Sequence, residues 1–353
     1  MDVVVATPIE GDLVDRIAKE VPGAVVAFEP NLLPPARYPA DHRGDPAFRR
    51  DGAGERRWSE LLAGAEVLLG IPGEDPGMLA GAVRSAPRLS WVQAMTAGAG
   101  QLVGRAGLST SELERVTFTA AKGVHASQLA EWAMLGLLAF TKDLPRLVRD
   151  ASARRWGHYP VRELAGQHLV VVGLGAIGRE VARQAACLGM RVTGIRRHPG
   201  SPGGNGEGGR QGPAVEVRAL ADLEALVPAA DAVVLALPLT TETAGLFDAG
   251  LIQLLPPHAV VVNVGRGGTL DEEALTASLA AGRIAGAALD VFADEPLAAD
   301  SPLWTLPNVL VSPHTAALSV HENERIVEQF IRNCRRYLDG GPLEAVIDPR
   351  AFY

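Results

Sequence analysis

At 353 residues the chain is long enough for two domains, each with a core of its own. Hydrophobic residues make up 47% and charged residues 21%, an ordinary soluble balance, and the net charge of −8 argues against nucleic acid as a partner. No run reaches the ~18–20 apolar residues of a membrane span, and two cysteines, Cys187 and Cys334, do not make a disulfide framework.

The opening MDVVVATPIEGD has neither the basic start nor the long apolar run of a signal peptide, and the two lone cysteines make a reducing cytoplasm the expected compartment. Short apolar runs then alternate with amphipathic ones. VVVAT, AVVAF, EVLLGI, LSWVQAM and VTFTA read as buried strands, with DLVDRIAKEV and RWSELLAGA as helices between them. That alternation predicts a parallel sheet covered by helices on both faces. Residues 31–58 are polar and Pro-rich, with no clear period, and read as irregular. Residues 125–150 are apolar around most of a helical circumference, which predicts a helix buried against a neighbour.

A second series starts near residue 167, with HLVVVG, RVTGI, AVVLAL, AVVVNV, AGAALDV and NVLVSP as strands and DEEALTASLAAG as a helix. Two consecutive βα series predict an α/β chain of two doubly wound parallel-sheet domains. Residues 199–213 carry seven glycines and are expected to form a flexible coil. After the last strand, SVHENERIVEQFIRNCRRYLDG has the pattern of an amphipathic helix, and PLEAVIDPRAFY is expected to pack back on the first domain.

Gly173-x-Gly175-x-x-Gly178 lies between an apolar strand and a helix, with a second strand about 20 residues on. The first glycine permits the tight turn, the second lets the backbone approach a pyrophosphate, and the third allows close helix–strand packing. Dinucleotide binding is the expectation. At the end of the second strand, where a carboxylate would hold the ribose of NAD, stand Arg196 and Arg197. Guanidinium groups there favour a 2′-phosphate, so NADP(H) is the preferred cofactor and NAD(H) a possible one, with Arg210 as a third contact.

Farther on, VVVNVGRGGTLDEEAL places Arg266 just past a strand, AGAALDVFADEPL places Asp290 at a strand end and Glu295 in the next loop, and NVLVSPHTA places His314 past a third strand. Ligands of open α/β sheets bind outside the carboxyl ends of the strands, so all four can converge on one crevice. Reduction of a 2-keto acid needs a cation for the carboxylate and a proton donor for the carbonyl oxygen. His314 suits the donor, because imidazole titrates nearest neutrality. A carboxylate partner such as Glu295 favours the charged ring and fixes its orientation. Arg266 can clamp the carboxylate and polarise the carbonyl, and Asp290 can accept from the nicotinamide carboxamide. The eight histidines are scattered without ligand spacing, so no metal is expected.

From about residue 60 onward these motifs, together with HASQLAEW and LPLTTETAGLF, resemble the D-isomer-specific 2-hydroxyacid dehydrogenases. The resemblance implies Arg266, Glu295 and His314 as the catalytic triad. It implies substrate-carboxylate contacts at Ala97, Gly98, Ala99 and Gly100 beside Arg266. Cofactor contacts would include Ala176 and Ile177 in the glycine loop, and Leu237, Pro238, Thr243, Val264 and Asp290 beyond it. The implied architecture is a flavodoxin-like substrate domain (1–123 and 317–353) with a Rossmann cofactor domain (124–316) inserted, in a homodimer built largely through the cofactor domains.

Within the family the arginine pair resembles the NADPH-dependent glyoxylate and hydroxypyruvate reductases. Three features depart from the usual pattern: Trp132 where many members have His, Ala99-Gly100-Gln101 in the substrate loop, and the Gly-rich insert. Glu295 beside Pro296 differs from the formate dehydrogenase branch, which typically uses Gln there. A second expectation is a nucleotide-sensing dimeric regulator, like the transcriptional corepressors that share this fold; the low basic charge and lack of long disordered tails weigh against it.

Overall fold

The first strand, β1 (Asp2–Val5), is buried on both faces. Val3 and Val5 pack with Leu13, Val14 and Ile17 of the helix Gly11–Glu20, and Val4 packs with Trp58, Leu62 and Leu79 on the other side. It is joined by β2 (Val25–Ala27), β3 (Val67–Leu69), β4 (Trp91–Gln93) and β5 (Thr117–Thr119), in the order β2-β1-β3-β4-β5 with every pairing parallel. This is the flavodoxin-like doubly wound order, with its switch point between β1 and β3.

The helix Glu322–Leu338, from the far end of the chain, covers the same face as Gly11–Glu20, and its Phe330 stacks on Trp91 with ring centroids 5.0 Å apart. The C-terminal tail then returns to β5: the Ile347 N–H donates to the Phe118 carbonyl at 2.8 Å, and Ala120 N–H to the Ala345 carbonyl at 3.0 Å. The computed structural model describes residues 1–197, 215–350 and 352, and these contacts assemble one compact unit from Met1–His125 and Leu318–Tyr353.

The second unit is Ala126–Ala317. Its strands are β6 (His168–Val172), β7 (Arg191–Arg196), β8 (Glu216–Ala219), β9 (Ala232–Leu235), β10 (Val260–Asn263), β11 (Gly286–Leu289) and β12 (Val309–Val311). They run parallel in the order β12-β11-β10-β9-β6-β7-β8, the Rossmann order extended by one strand. Leu169 and Val171 of β6 pack with the helices Ala126–Thr141 and Ala176–Cys187, while Val170 and Val172 pack with Leu223, Ile252 and Leu275 on the other face. The order reverses between β6 and β9, which opens a crevice at their carboxyl ends. Among the described residues no helix is long and apolar enough to cross a membrane.

Three local expectations are corrected. Residues 125–150 form two helices, Ala126–Thr141 and Leu144–Ser152: Asp143 takes a left-handed backbone with φ of 55°, and Pro145 sits in the first turn of the second helix. Irregular structure does not fill 31–58, because the helix Gly52–Gly64 starts inside it, capped by Asp51 Oδ1 accepting from Gly54 N–H at 2.7 Å. The edge strand β8 is an addition, invisible as an apolar run because most of its side chains are exposed. The Gly-rich segment 199–213 and Arg210 lie outside the described residues.

Both cysteines are free; Cys187 is exposed and Cys334 is sealed in the first unit's core, where burial pushes its thiol up to about 12. A thiol reagent at neutral pH should therefore label Cys187 in the folded protein and Cys334 only after unfolding. Equal labelling of both from the folded chain would contradict this packing.

Candidate active site

After β6 the chain turns at Gly173, whose φ is 102° and whose Cβ, if present, would lie 2.8 Å from the Ala236 carbonyl oxygen. At Gly178 a Cβ would fall 1.8 Å from the Gly173 carbonyl oxygen, so only glycine lets the helix start this close to the strand. Gly175 is exposed, a Cβ there would meet nothing within 4 Å, and no side chain caps the helix that begins at Ala176 and Ile177. The uncapped helix end beside this open turn is a cradle suited to a pyrophosphate.

Across the switch point, Leu237, Pro238 and Thr243 lie on the loop after β9. Thr243 Oγ1 donates to the Pro238 carbonyl at 2.6 Å and accepts from Thr240 N–H at 2.8 Å, folding that loop on itself. Val264 is buried just past β10, and its N–H donates to the Leu235 carbonyl at 3.0 Å.

The two arginines after the second strand part company. Arg196, the last residue of β7, donates from Nη2 to the Leu174 carbonyl at 3.3 Å. Arg197 instead pairs with Glu242 on the loop after β9. The place beside Arg196 is taken by Arg179, whose Nη1 donates to the same Leu174 carbonyl at 3.0 Å. Partial burial, then the neighbouring Arg196 charge, draw the Arg179 pKa below its usual value.

His314 follows β12 with a left-handed backbone, φ 55°, a conformation costing roughly 1–2 kcal/mol for a residue with a side chain. Its N–H donates to the Asp290 carbonyl at 3.0 Å. The Asp290 carboxylate holds the rest of the turn: Oδ1 accepts from Ser312 Oγ at 2.6 Å and from the Thr315 and Ala316 N–H groups at 3.0 Å each. Asp290, expected from the sequence to accept from the nicotinamide carboxamide, thus also holds the His314 loop through its Oδ1.

The His314 ring meets Glu295 at 2.7 Å, Nδ1 to Oε2, and the other Glu295 oxygen accepts from Phe292 N–H at 3.1 Å. With Nδ1 so engaged, Nε2 has no hydrogen-bond partner among the described residues, and the side chain is 44% exposed. The carboxylate fixes the ring, and the opposite nitrogen is left for a ligand.

Arg266 lies past β10 in a loop held by its own carbonyl, which accepts from Thr269 Oγ1 at 2.7 Å and Asn263 Nδ2 at 3.2 Å. Next to it, a Cβ on Gly267 would fall 1.9 Å from the Phe292 carbonyl, so the Arg266 loop lies flush against the loop bearing Glu295. Burial lowers the Arg266 pKa, and the charges of Glu295 and then Asp290 act in the opposite direction. A guanidinium keeps its proton under such a shift. The outcome is a largely desolvated cation near a carboxylate–imidazole pair, an arrangement that can bind an anion and exchange a proton with it.

The remaining predicted contacts belong to the first unit. Ala97 is exposed and Gly98 half-buried in the turn after β4, and Ala99 and Gly100 are buried at the start of the helix Ala99–Arg105. Arg179, Glu242, Asn263 and Ser312 escaped the sequence reading. Arg179 had a signal in its position directly after the third glycine, and Ser312 in its place two residues before His314.

A sequence profile of the D-isomer specific 2-hydroxyacid dehydrogenase NAD binding domain matches residues 134–316. The chain is 34% identical over 224 residues to (S)-sulfolactate dehydrogenase of Chromohalobacter salexigens, covering 62% of this chain and 69% of that one. It is 33% identical over 298 residues to D-3-phosphoglycerate dehydrogenase of Mycobacterium tuberculosis, covering 81% and 53%. The chain spans about half the length of the phosphoglycerate dehydrogenases it matches.

Two solved structures align over the whole chain. A D-isomer specific 2-hydroxyacid dehydrogenase of Xanthobacter autotrophicus Py2, in complex with NADPH and MES, superposes with a TM-score of 0.76 at 30% identity over 100% of this chain and 99% of that one. The NADPH-dependent glyoxylate/hydroxypyruvate reductase of Sinorhizobium meliloti, in complex with NADP and sulfate, gives 0.75 at 27% identity with the same coverage. The glycine loop, the strand-end residues and these likenesses coincide, and the chain belongs to the D-isomer specific 2-hydroxyacid dehydrogenase family.

Proposed function

We propose that this chain is an NADPH-preferring reductase of small 2-keto acids, of the glyoxylate and hydroxypyruvate kind, forming the D-2-hydroxy acid. The observation that carries the reading is the Glu295–His314 pair at 2.7 Å, with the half-buried Arg266 on a loop that lies against the one bearing Glu295. Arg266 binds the substrate carboxylate and polarises the keto group. His314 Nε2 gives its proton to the keto oxygen, and Glu295 stabilises the charged ring before the transfer and holds its orientation throughout. Asp290 holds the turn that aims the ring.

Gly173, Gly175, Gly178 and the uncapped helix end would hold the pyrophosphate, with Leu237, Pro238, Thr243 and Val264 along the rest of the cofactor. The bound nicotinamide supplies the hydride. The second unit is then the cofactor domain. The substrate class and the NADPH preference draw support from the Sinorhizobium reductase and from the arginines around Leu174.

The family's dimer is proposed here too, because Leu135, Leu138, Leu144, Leu147, Val148 and Trp156 are exposed on one short stretch of the second unit. Leu147→Glu combined with Val148→Glu should shift the particle mass in light scattering from dimer to monomer; a monomeric parent chain would end this reading.

Incubation with hydroxypyruvate and NADPH, followed by chiral chromatography, tests the reaction itself. D-glycerate should accumulate mole for mole with NADPH consumed. Accumulation of the L-acid would overturn the stereochemical assignment, and no glycerate would overturn hydroxypyruvate as a substrate.

A further inference from the structure

The cofactor cradle carries an arrangement of charge that the arginine pair in the sequence does not describe. Two guanidinium groups, from Arg179 and Arg196, converge on the one carbonyl of Leu174 at 3.0 and 3.3 Å. That carbonyl is firmly placed: the Leu174 side chain fills the space above Gly194 of β7, where a Cβ would lie 2.3 Å from Leu174 Cδ1. Among the described residues no carboxylate pairs with either arginine, whereas Arg197 is paired with Glu242.

Two like charges sharing one neutral acceptor repel each other, and part of that repulsion is relieved when a multiply charged anion sits between them. The Leu174 carbonyl belongs to the turn between Gly173 and Gly175, so the pair stands at the glycine loop next to the end of β7, where a dinucleotide's adenosine ribose lies in this fold.

We propose that Arg179 and Arg196, rather than Arg196 and Arg197, seat the 2′-phosphate of NADPH, and that Glu242 withholds Arg197 from it. The assignment rests on the NADPH reading above and names the residues that produce the preference. Arg179 is the specificity-determining residue this adds. It lies in the first turn of the helix Ala176–Cys187 and belongs to neither core cluster of the second unit, so its replacement leaves the core untouched. In the same geometry, Glu242 competes with the phosphate for Arg197 and sets how far that third guanidinium contributes.

Calorimetric titration of the folded chain with adenosine 2′,5′-bisphosphate and with adenosine 5′-monophosphate isolates this contact from turnover. The parent should bind the bisphosphate more tightly. Arg179→Gln should lose about tenfold or more of that affinity, the scale of one charge-assisted hydrogen bond, with the monophosphate nearly unchanged. Arg197→Gln should stay near the parent, and Glu242→Gln should match or exceed it. A larger loss in Arg197→Gln than in Arg179→Gln would overturn the seat while leaving the NADPH preference intact. Equal binding of both nucleotides by the parent would overturn the NADPH preference, and the seat with it.

Discussion

Replacing His314 by Gln should lower kcat for keto-acid reduction by about 10²–10⁴-fold, the usual contribution of a positioned general acid. NADPH affinity should hardly change, because His314 lies past β12 while the glycine cradle follows β6. The fold should also survive, since the side chain is 44% exposed. Glu295→Gln tests the same pair from the other side. It keeps a polar group within reach of Nδ1 but removes the charge that stabilises the protonated ring, so kcat should fall while the affinity for a non-reacting 2-hydroxy acid changes less. Full activity in the His314 variant would remove the imidazole as proton donor and leave Arg266 with no partner in the chemistry proposed.

The second large effect is expected from Gly267→Ala. A methyl group at this position would lie 1.9 Å from both the carbonyl carbon and oxygen of Phe292, and backbone cannot swing aside as a side chain tip can. Overpacking typically costs ~1–3 kcal/mol, which for a unit of this size corresponds to a Tm lower by roughly 2–12 °C. The activity loss should exceed what the Tm shift explains, because the displaced loops carry Arg266 on one side and Glu295 on the other. Gly64→Ala is the matched control: nothing lies within 4 Å of its Cβ position at the end of its helix, and stability should stay level or rise slightly. Parent-like Tm and kcat/KM in Gly267→Ala would contradict the close apposition of the two loops.

Much of the fold is legible in the sequence because both sheets are parallel and covered on two faces. Such strands read as unbroken apolar runs, as in VVV of β1 or LVVV of β6. The strand that escaped is β8, an edge strand whose EVRA sequence buries little and so carries no hydrophobic signal. Helix boundaries were less legible. The break at Lys142-Asp143 was foreshadowed by Pro145, but an apolar pattern on both sides of the break masked it. The start of Gly52–Gly64 was foreshadowed by Asp51 as a cap, in a stretch otherwise dominated by Pro and Arg.

The candidate site divides the same way. Arg266, Asp290, Glu295 and His314 could be located because each follows a recognisable strand, and the topology carries strand ends to one edge. Which guanidinium meets which partner could not be read. Arg179, Arg196 and Arg197 are chemically alike, and the choice is made by Glu242 on a distant loop and by the orientation of the Leu174 carbonyl. That Asp290 also holds the His314 turn was likewise hidden, because two of its donors come from the backbone of that turn, and backbone donors leave no mark in a sequence.

The measurement closest to the central claim is the initial rate of cofactor oxidation with glyoxylate, hydroxypyruvate, pyruvate and a branched 2-keto acid, each offered with NADPH and with NADH. The geometry of Arg266, Glu295 and His314 predicts steady oxidation with at least one small keto acid and its loss in His314→Gln, and the arginines around Leu174 predict a faster rate with NADPH than with NADH. No oxidation with any pair, in a chain that still binds NADPH tightly, would contradict it.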